Sequence, residues 1–350
     1  MKVTFLAAPL TARSGVYRSA RELVSEGRAR GHDWHLHLGV SDAASGNAPA
    51  TDPEWVSEIP AEPGGLRGVK RLSTQLLRTP SVTTSDLVVS LVPQSDMALA
   101  LTNLPWIAYT RGLPWPASGE AASSKALVWR TLERMALKRA RAVWATTEVL
   151  KRDLALGDRV RLVPAGIRPI PREWDGTGAR HTAVWAARYD FDKNPELFME
   201  ALRDSSVSGV MYGSGKLKGH LHSIAPANVA VAGWVPPADI WNDAFAYVGT
   251  SRREAFGRSA VEAAMAGIPV ILADSYGCAS LLITDSDLRT RYVLPIDEVE
   301  RWRAAVARLS SDESERARLS HHVAANAGRL TIAASVDTIV AELERVKHHV

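Results

Sequence analysis

The sequence predicts an α/β chain built as two consecutive doubly wound, parallel-sheet domains, and three observations lead there. Short apolar runs alternate with amphipathic stretches of helical period along most of the 350 residues, which is the pattern of βα units. The alternation stops in a Pro- and Gly-rich piece, Pro164 to Gly178, and then starts again. Hydrophobic residues at 46% and charged residues at 23% describe a folded chain with length enough for two cores.

In the first series Val3–Ala8 reads as a buried strand, followed by a loop holding Gly15 and a helix that closes at Arg30-Gly31-His32. Asp86–Val92, Trp106–Tyr109 and Ala142–Thr146 read as further strands, with helices near 66–78, 95–103 and 124–141. The second series places strands at His181–Ala187, Gly209–Tyr212, Val229–Ala232, Ala246–Gly249 and Pro269–Leu272. Helices at about 195–204, 216–224, 237–243 and 257–266 alternate with them. From Val299 the tail is helical with one polar face, and no repeat of solenoid length is present. The expected domains are therefore 1–168 and 179–334, with a C-terminal helix at about 335–350 packing back on the first. A cleft between two such domains is the expected ligand site.

Composition removes several classes. Cys278 is the only cysteine, so an internal disulfide and a four-cysteine zinc site are excluded, and a reducing, cytoplasmic setting is expected. No stretch reaches the ~18 uncharged apolar residues of a membrane span. Met1–Ala12 lacks the basic lead of a signal peptide. The net charge of +4 is uneven: residues 1–175 hold 23 Lys+Arg against 17 Asp+Glu, so the excess of cations lies in the first half.

Three segments carry residues suited to binding a phosphorylated ligand. In Glu254-Ala-Phe-Gly-Arg-Ser-Ala-Val-Glu262, Gly257 allows close backbone approach, and Arg258 and Ser259 open a helix whose free N–H groups favour an anion. Glu254, before the helix, can accept hydrogen bonds from sugar hydroxyls, and Glu262, inside it, can reach a ribose diol. In Arg188-Tyr-Asp-Phe-Asp-Lys193, two cations share one post-strand loop and can neutralise a diphosphate where a metal ion otherwise would. Gly15, in the first βα loop, can offer backbone N–H groups to the same phosphates. Plainer readings exist for each: surface glutamates on an amphipathic helix, a solvated charged loop, a loop glycine. Tyr212-Gly213-Ser214-Gly215 reads as a turn with packing duties or as a further ligand-side loop.

Together with Asp86-Leu-Val-Val89, Leu132–Ala140, Pro164-Ala-Gly-Ile167 and Gly233-Trp-Val-Pro236, these segments resemble the retaining glycosyltransferases of the two-Rossmann-domain (GT-B) type, in particular the family 4 group. The resemblance implies a nucleotide-sugar donor, a UDP- or GDP-sugar, with Arg188 and Lys193 on its diphosphate, Glu254 on the sugar and Glu262 on the ribose. Backbone contacts from Phe256 and Gly257 are implied, as is a base pocket at 232–235 that includes Gly233 and Trp234. It further implies front-face transfer with retention, without a metal or other cofactor and without a protein nucleophile. Asp190-Phe-Asp192 has the form of a metal-binding Asp-x-Asp, but its place between Arg188 and Lys193 argues against that use.

The acceptor is less defined. Where many members of that group carry a histidine before glycine, this chain has Thr110-Arg111-Gly112, and Arg111 cannot act as a base at neutral pH. Where a glutamate often follows a Gly-Gly pair, the run is Gly277-Cys-Ala-Ser-Leu281. Arg111 and Trp115 are acceptor-side candidates, and Trp106, Trp129 and Trp144 are further aromatics in that half. Leu66, Val69, Leu72 and Leu76 form an apolar helical face flanked by Arg67, Lys70, Arg71 and Arg78, and Arg130, Arg134 and Lys138 form a second basic row. Solvated helix faces, docking on an anionic membrane near a lipid-linked acceptor, and phosphate tracking on DNA with a hydroxymethylated base all fit these rows. A small-molecule acceptor fits too. A nucleotide-sugar 2-epimerase and a non-catalytic binder are the competing classes.

Overall fold

The computed structural model of the chain describes residues 1–13, 15–46, 49, 51–112, 123–236 and 239–348. Two compact units emerge: Met1–Arg168 together with Ile332–Val350, and Pro169–Thr331.

Unit 1 holds strands β1 Val3–Ala12, β2 Trp34–Ser45, β3 Val56–Pro60, β4 Leu87–Ser90, β5 Trp106–Thr110, β6 Ala142–Ala145 and β7 Val160–Leu162. They form one sheet in the order β3-β2-β1-β4-β5-β6-β7, with every pair parallel. Its main helices are α1 Val16–Ala29, α2 Gly65–Leu76, α4 Pro93–Leu99 and α5 Ser123–Leu137, with short helices α3 Pro80–Thr83 and α6 Glu148–Leu154. The last helix of the chain, α14 Ile332–His348, joins this unit. Its Ile332, Val336, Ile339 and Leu343 are buried in the same core as Phe5, Leu23 and Trp34, and Asp337 pairs with Arg30 at 2.7 Å.

Strands β2, β3 and β7 of this unit, and β13 Val293–Leu294 of the other, are additions to the sequence reading. In β2 the apolar residues alternate with histidines, as Trp34, Leu36 and Leu38 point into the core. The polar members of that alternation hid the strand. One of them, His37, is 0% exposed, and burial pushes its pKa down to about 4.

Unit 2 holds β8 Thr182–Ala186, β9 Ser208–Tyr212, β10 Val229–Gly233, β11 Ala244–Gly249, β12 Val270–Ala273 and β13 Val293–Leu294, ordered β10-β9-β8-β11-β12-β13 and parallel throughout. Its helices are α7 Pro195–Leu202, α8 Lys218–Ile224, α9 Arg258–Met265, α10 Ala279–Leu282, α11 Ser286–Tyr292, α12 Val299–Ser311 and α13 Glu313–Ala327. The helix expected at 237–243 does not form over the described residues 239–243. Asp239 N–H closes a turn on Pro236 C=O instead, and Trp241, 3% exposed, anchors the entry to β11. The segment read as a linker is packed over its second half: Glu173 N–H bonds Ala266 C=O, and Gly176 lies against Ala317 of α13.

Both sheets share one geometric feature. The chain leaves β1 toward β2 on one side and returns to β4 on the other; likewise β8 sits between β9 and β11. Loops diverge at these reversal points and open a crevice at the carboxyl ends of the strands, where α/β sheets bind ligands.

Candidate functional site

In unit 2 the crevice is bounded by the loops after β8 and β11. The β8 loop runs through Arg188 into a single 3-10 turn, Phe191–Lys193, and then Asn194 in the left-handed region at φ 49° before Pro195 starts α7. Lys193 is thereby turned toward the β11 loop, and its Nζ donates to Glu254 Oε2 at 2.9 Å. Asp192 lies 3.4 Å from the same ammonium. Burial of Lys193 acts to lower its pKa, but the Glu254 and Asp192 carboxylates outweigh it and the net shift is upward. Arg188 is more exposed; it pairs with Asp190 and lies 3.6 Å from Asp192. Both aspartates of the Asp-x-Asp sequence are thus engaged by cations. Among the described residues no three His, Cys, Asp or Glu side chains converge as metal ligands would.

The two loops are bolted together by residues the sequence reading passed over. Thr250, just after β11, donates its hydroxyl to Asn194 C=O at 2.8 Å and accepts from the Trp185 indole N–H at 2.9 Å. Arg252 donates to Asn194 Oδ1 at 2.6 Å, lies 4.7 Å over the Phe191 ring, and its N–H bonds Asp192 C=O. The run Thr-Ser-Arg-Arg before Glu254 was the available signal.

Gly257 begins α9 at φ 100°. A Cβ there would meet Tyr276 Cδ1 at 2.6 Å and Cys278 Sγ at 3.0 Å, so both the backbone angle and the space call for glycine. Gly277 N–H bonds Glu254 C=O and Cys278 N–H bonds Phe256 C=O, each at 2.8 Å, which fixes the strand-like approach to the helix. No side chain caps α9 at Gly257, and a helix amino terminus of this kind favours an anion. Phe256 is buried beneath it, and Glu262 follows one turn later, 3.8 Å from Arg258. Tyr276 and Cys278, buried behind the turn, have their pKa values raised by that burial and, second, by the Glu254 charge.

A third loop adjoins the β8 loop. Gly213 stands where a Cβ would fall 1.9 Å from Ala187 C=O, and Tyr189 N–H bonds Ser214 C=O at 2.9 Å. The buried Tyr189 hydroxyl donates to Met211 C=O at 2.7 Å and accepts from Gly233 N–H at 3.2 Å. Tyr189 therefore ties the ends of β8, β9 and β10 together, and Trp234, next to Gly233, stands 72% exposed. The structure brings Arg188, Lys193, Glu254, Phe256, Gly257, Arg258, Ser259 and Glu262 to one edge of the unit 2 sheet. Gly233 and Trp234 lie at the end of β10 on that edge.

The remaining candidates belong to unit 1. Gly15 precedes α1 at φ 52°, with nothing within 4 Å of an added Cβ, so the approach to its backbone is open. Arg111 follows β5, its guanidinium 5.3 Å from the Tyr109 ring centroid. The neighbouring hydroxyls of Thr110 and Thr146 are buried without a hydrogen-bond partner among the described residues, the kind of group that water or a ligand satisfies. Trp115 lies outside the described residues. Trp106 and Trp144 are corrections: at 3% and 0% exposure they are core residues and cannot stack on a ligand.

Comparison with known proteins adds the following. Residues 173–325 match the family model described as Glycosyl transferases group 1. No curated protein matches the chain by sequence. Among solved structures, sucrose-phosphate synthase from Thermosynechococcus elongatus is similar at a TM-score of 0.81 and 16% identity, over 100% of both chains. Anabaena Alr3699/HepE, in complex with UDP and glucose, is similar at a TM-score of 0.74 and 14% identity over 99% of both chains. The α,α-trehalose-phosphate synthase (UDP-forming) from Burkholderia xenovorans, in complex with glucose-6-phosphate, is similar at 0.71 and 12% identity over 98% of this chain and 100% of that one. With the matched residues lying within unit 2, that unit carries a Glycosyl transferases group 1 domain, and the chain as a whole has the GT-B fold of the similar structures.

Proposed function

We propose that the protein moves a sugar from a nucleoside-diphosphate sugar to an acceptor hydroxyl with retention, using fixed cations and a helix amino terminus in place of a metal ion. The observation that carries this reading is the meeting of Lys193, Glu254 and the uncapped start of α9 at the β8–β11 reversal of the unit 2 sheet. As the donor bond breaks, negative charge grows on the diphosphate leaving group, and preorganised donors in a crevice stabilise that charge. Lys193 and Arg188 supply positive charge, and the α9 N–H groups supply aligned donors. Glu254 binds sugar hydroxyls and Glu262 the ribose. Gly233 and Trp234 flank the base. A UDP-glucose-type donor is in keeping with the UDP and glucose bound by the similar Anabaena protein.

The test is transfer and donor hydrolysis measured across a panel of UDP-, GDP- and ADP-sugars, with and without chelator, on the wild type and on Lys193→Ala. Turnover in a folded Lys193→Ala protein equal to wild type, or an absolute Mn²⁺ requirement, defeats the proposal.

A lipid-linked acceptor is favoured over the other classes by one surface. Between α2, α4 and α5 lies a groove of about 670 Å³ lined by Leu66, Val69, Met97, Leu101, Leu132 and Met135. Leu66, Leu101 and Met135 are each about 60% exposed, a degree of apolar exposure that marks interaction surfaces. Lys70 and Arg139 edge the groove, while the acids of these three helices, Asp96 and Glu133, are buried. An apolar face with an all-cationic rim suits an anionic bilayer, and no helix among the described residues is long and apolar enough to cross one. Co-flotation with phosphatidylglycerol vesicles, lost in Leu66→Ser/Leu101→Ser, checks this; salt-sensitive binding to duplex DNA without vesicle binding would select the nucleic-acid acceptor instead.

A further inference from the structure

A second cavity, of about 480 Å³, lies at the other end of the unit 1 sheet from its crevice-forming loops, and it is lined by four arginines. Arg141 immediately precedes β6, Arg159 closes the 3-10 turn Gly157–Arg159, Arg161 lies on β7, and Arg345 reaches in from α14. Ala142 and Val346 give it an apolar part, and its volume falls within the range of small-molecule sites.

The charge balance of this cavity is unusual for the chain. Arginines on or next to helices in this chain often meet an acid three or four residues away, as in Arg203–Glu200, Arg291–Asp287 and, in this cavity, Arg345–Glu342; Arg141, Arg159 and Arg161 lie off the α-helices. Among the described lining residues one acid, Glu342, faces four cations, and it pairs with Arg345 at 2.6 Å. Arg159 donates to Lys138 C=O at 3.1 Å and Ala140 C=O at 3.4 Å, contacts that hold its guanidinium in place without neutralising it. Arg141 and Arg161 add two further charges on the same wall. Like charges gathered in one concavity repel, and an anion bound among them relieves that repulsion.

We infer that this cavity is a second anion site, which takes a small molecule carrying two or more phosphoryl groups. The number of groups follows from the charge: a phosphate monoester carries about −1.5 to −2, less than the surplus the four arginines leave after Glu342. Planar guanidinium forks suit bidentate contact with phosphate oxygens. A ligand held between Arg345 on one side and Arg141 and Arg161 on the other ties α14 to the edge of the sheet, so binding stabilises unit 1. The site lies at the amino ends of β6 and β7, not at the carboxyl ends where the acceptor-side candidates follow their strands.

The probe is inorganic tripolyphosphate, followed by calorimetry and by thermal unfolding at near-physiological salt. Because the donor site also attracts diphosphate, the measurement is made on Lys193→Ala as well as on wild type. The expected result is binding, with a rise in unfolding temperature, that persists in Lys193→Ala and weakens by about tenfold or more in Arg141→Gln/Arg161→Gln, as loss of charge-assisted hydrogen bonds requires. Retention of donor-site turnover in Arg141→Gln/Arg161→Gln would separate this site from the proposed transfer chemistry. Arg345→Gln, on a different element, gives the same reading should the double variant fold poorly. Unchanged tripolyphosphate affinity in these variants overturns the inference, as does loss of all binding in Lys193→Ala. Tighter, strongly salt-dependent binding of duplex DNA to the same arginines would also overturn it, in favour of a nucleic-acid surface.

Discussion

Glu254→Gln separates the hold on Lys193 seen in the structure from the sugar-binding role proposed for the same carboxylate. Glu254 holds Lys193 at 2.9 Å, so an incoming diphosphate must draw the ammonium away from it. At that distance and an effective dielectric of about 20 the gross attraction is roughly 6 kcal/mol. Desolvation of the largely buried pair offsets most of this, leaving a net of about 1–2 kcal/mol. Glutamine keeps the shape but releases that hold, so free nucleoside diphosphate should bind Glu254→Gln about 5- to 30-fold more tightly than wild type. Sugar transfer should move the other way and fall about 10- to 100-fold, because hydrogen bonds from sugar hydroxyls to a charged carboxylate are lost. The pH dependence has a definite sign. Burial lowers the Lys193 pKa and Glu254 raises it, so the variant's lysine loses its proton at lower pH than the wild type's. Diphosphate affinity should therefore decline earlier on the alkaline side in the variant. Titration calorimetry with UDP and GDP at several pH values, alongside transfer rates, measures all three effects. Equal diphosphate affinity and equal turnover in the two proteins would refute the assignment of Lys193 and Glu254 to a shared donor site.

Gly257→Ala should destabilise unit 2 by about 2–4 kcal/mol, since the left-handed backbone and the 2.6 Å approach to Tyr276 add; calorimetry should show unit 2 unfolding about 5–10 °C earlier. Glu133→Gln should stabilise unit 1 at pH 8 by on the order of 3 kcal/mol. Burial and then the Asp96 charge push the Glu133 pKa up to about 9, so native stability falls as pH rises from 4.5 toward 9, and the variant's unfolding temperature should vary less across that window. Cys278, buried behind Gly257 with its pKa pushed up, should not react with a thiol reagent until the protein is unfolded.

The loops proposed to hold the donor could be picked out in the sequence because the chemistry assigned to them depends on short spacing. Arg188 and Lys193 occupy one post-strand loop, and Glu254, Gly257 and Glu262 occupy one turn and the helix it starts, so local pattern alone places them. Thr250, Arg252, Tyr189 and Tyr276 were not legible. Each acts on a partner far away in the chain, as when Thr250 bonds Asn194 across 56 residues or Tyr189 accepts from Gly233 across 44. Two aromatic candidates of the first half, Trp106 and Trp144, erred for the converse reason: a tryptophan in a strand carries no sign of whether it faces core or solvent until its neighbours are placed, and these two face the core.

By itself the sequence determined the α/β class and the restart of the βα alternation after residue 178, and it named residues whose chemistry suits a diphosphate. Those rest on periodicity and on side-chain chemistry, both of which are local. The tertiary structure alone decided that β8 and β11 are neighbours, that Lys193 is held by Glu254, and that four arginines from three separate stretches of unit 1 share one cavity. These are contacts between distant segments, and strand order, which no local pattern encodes, is what creates them.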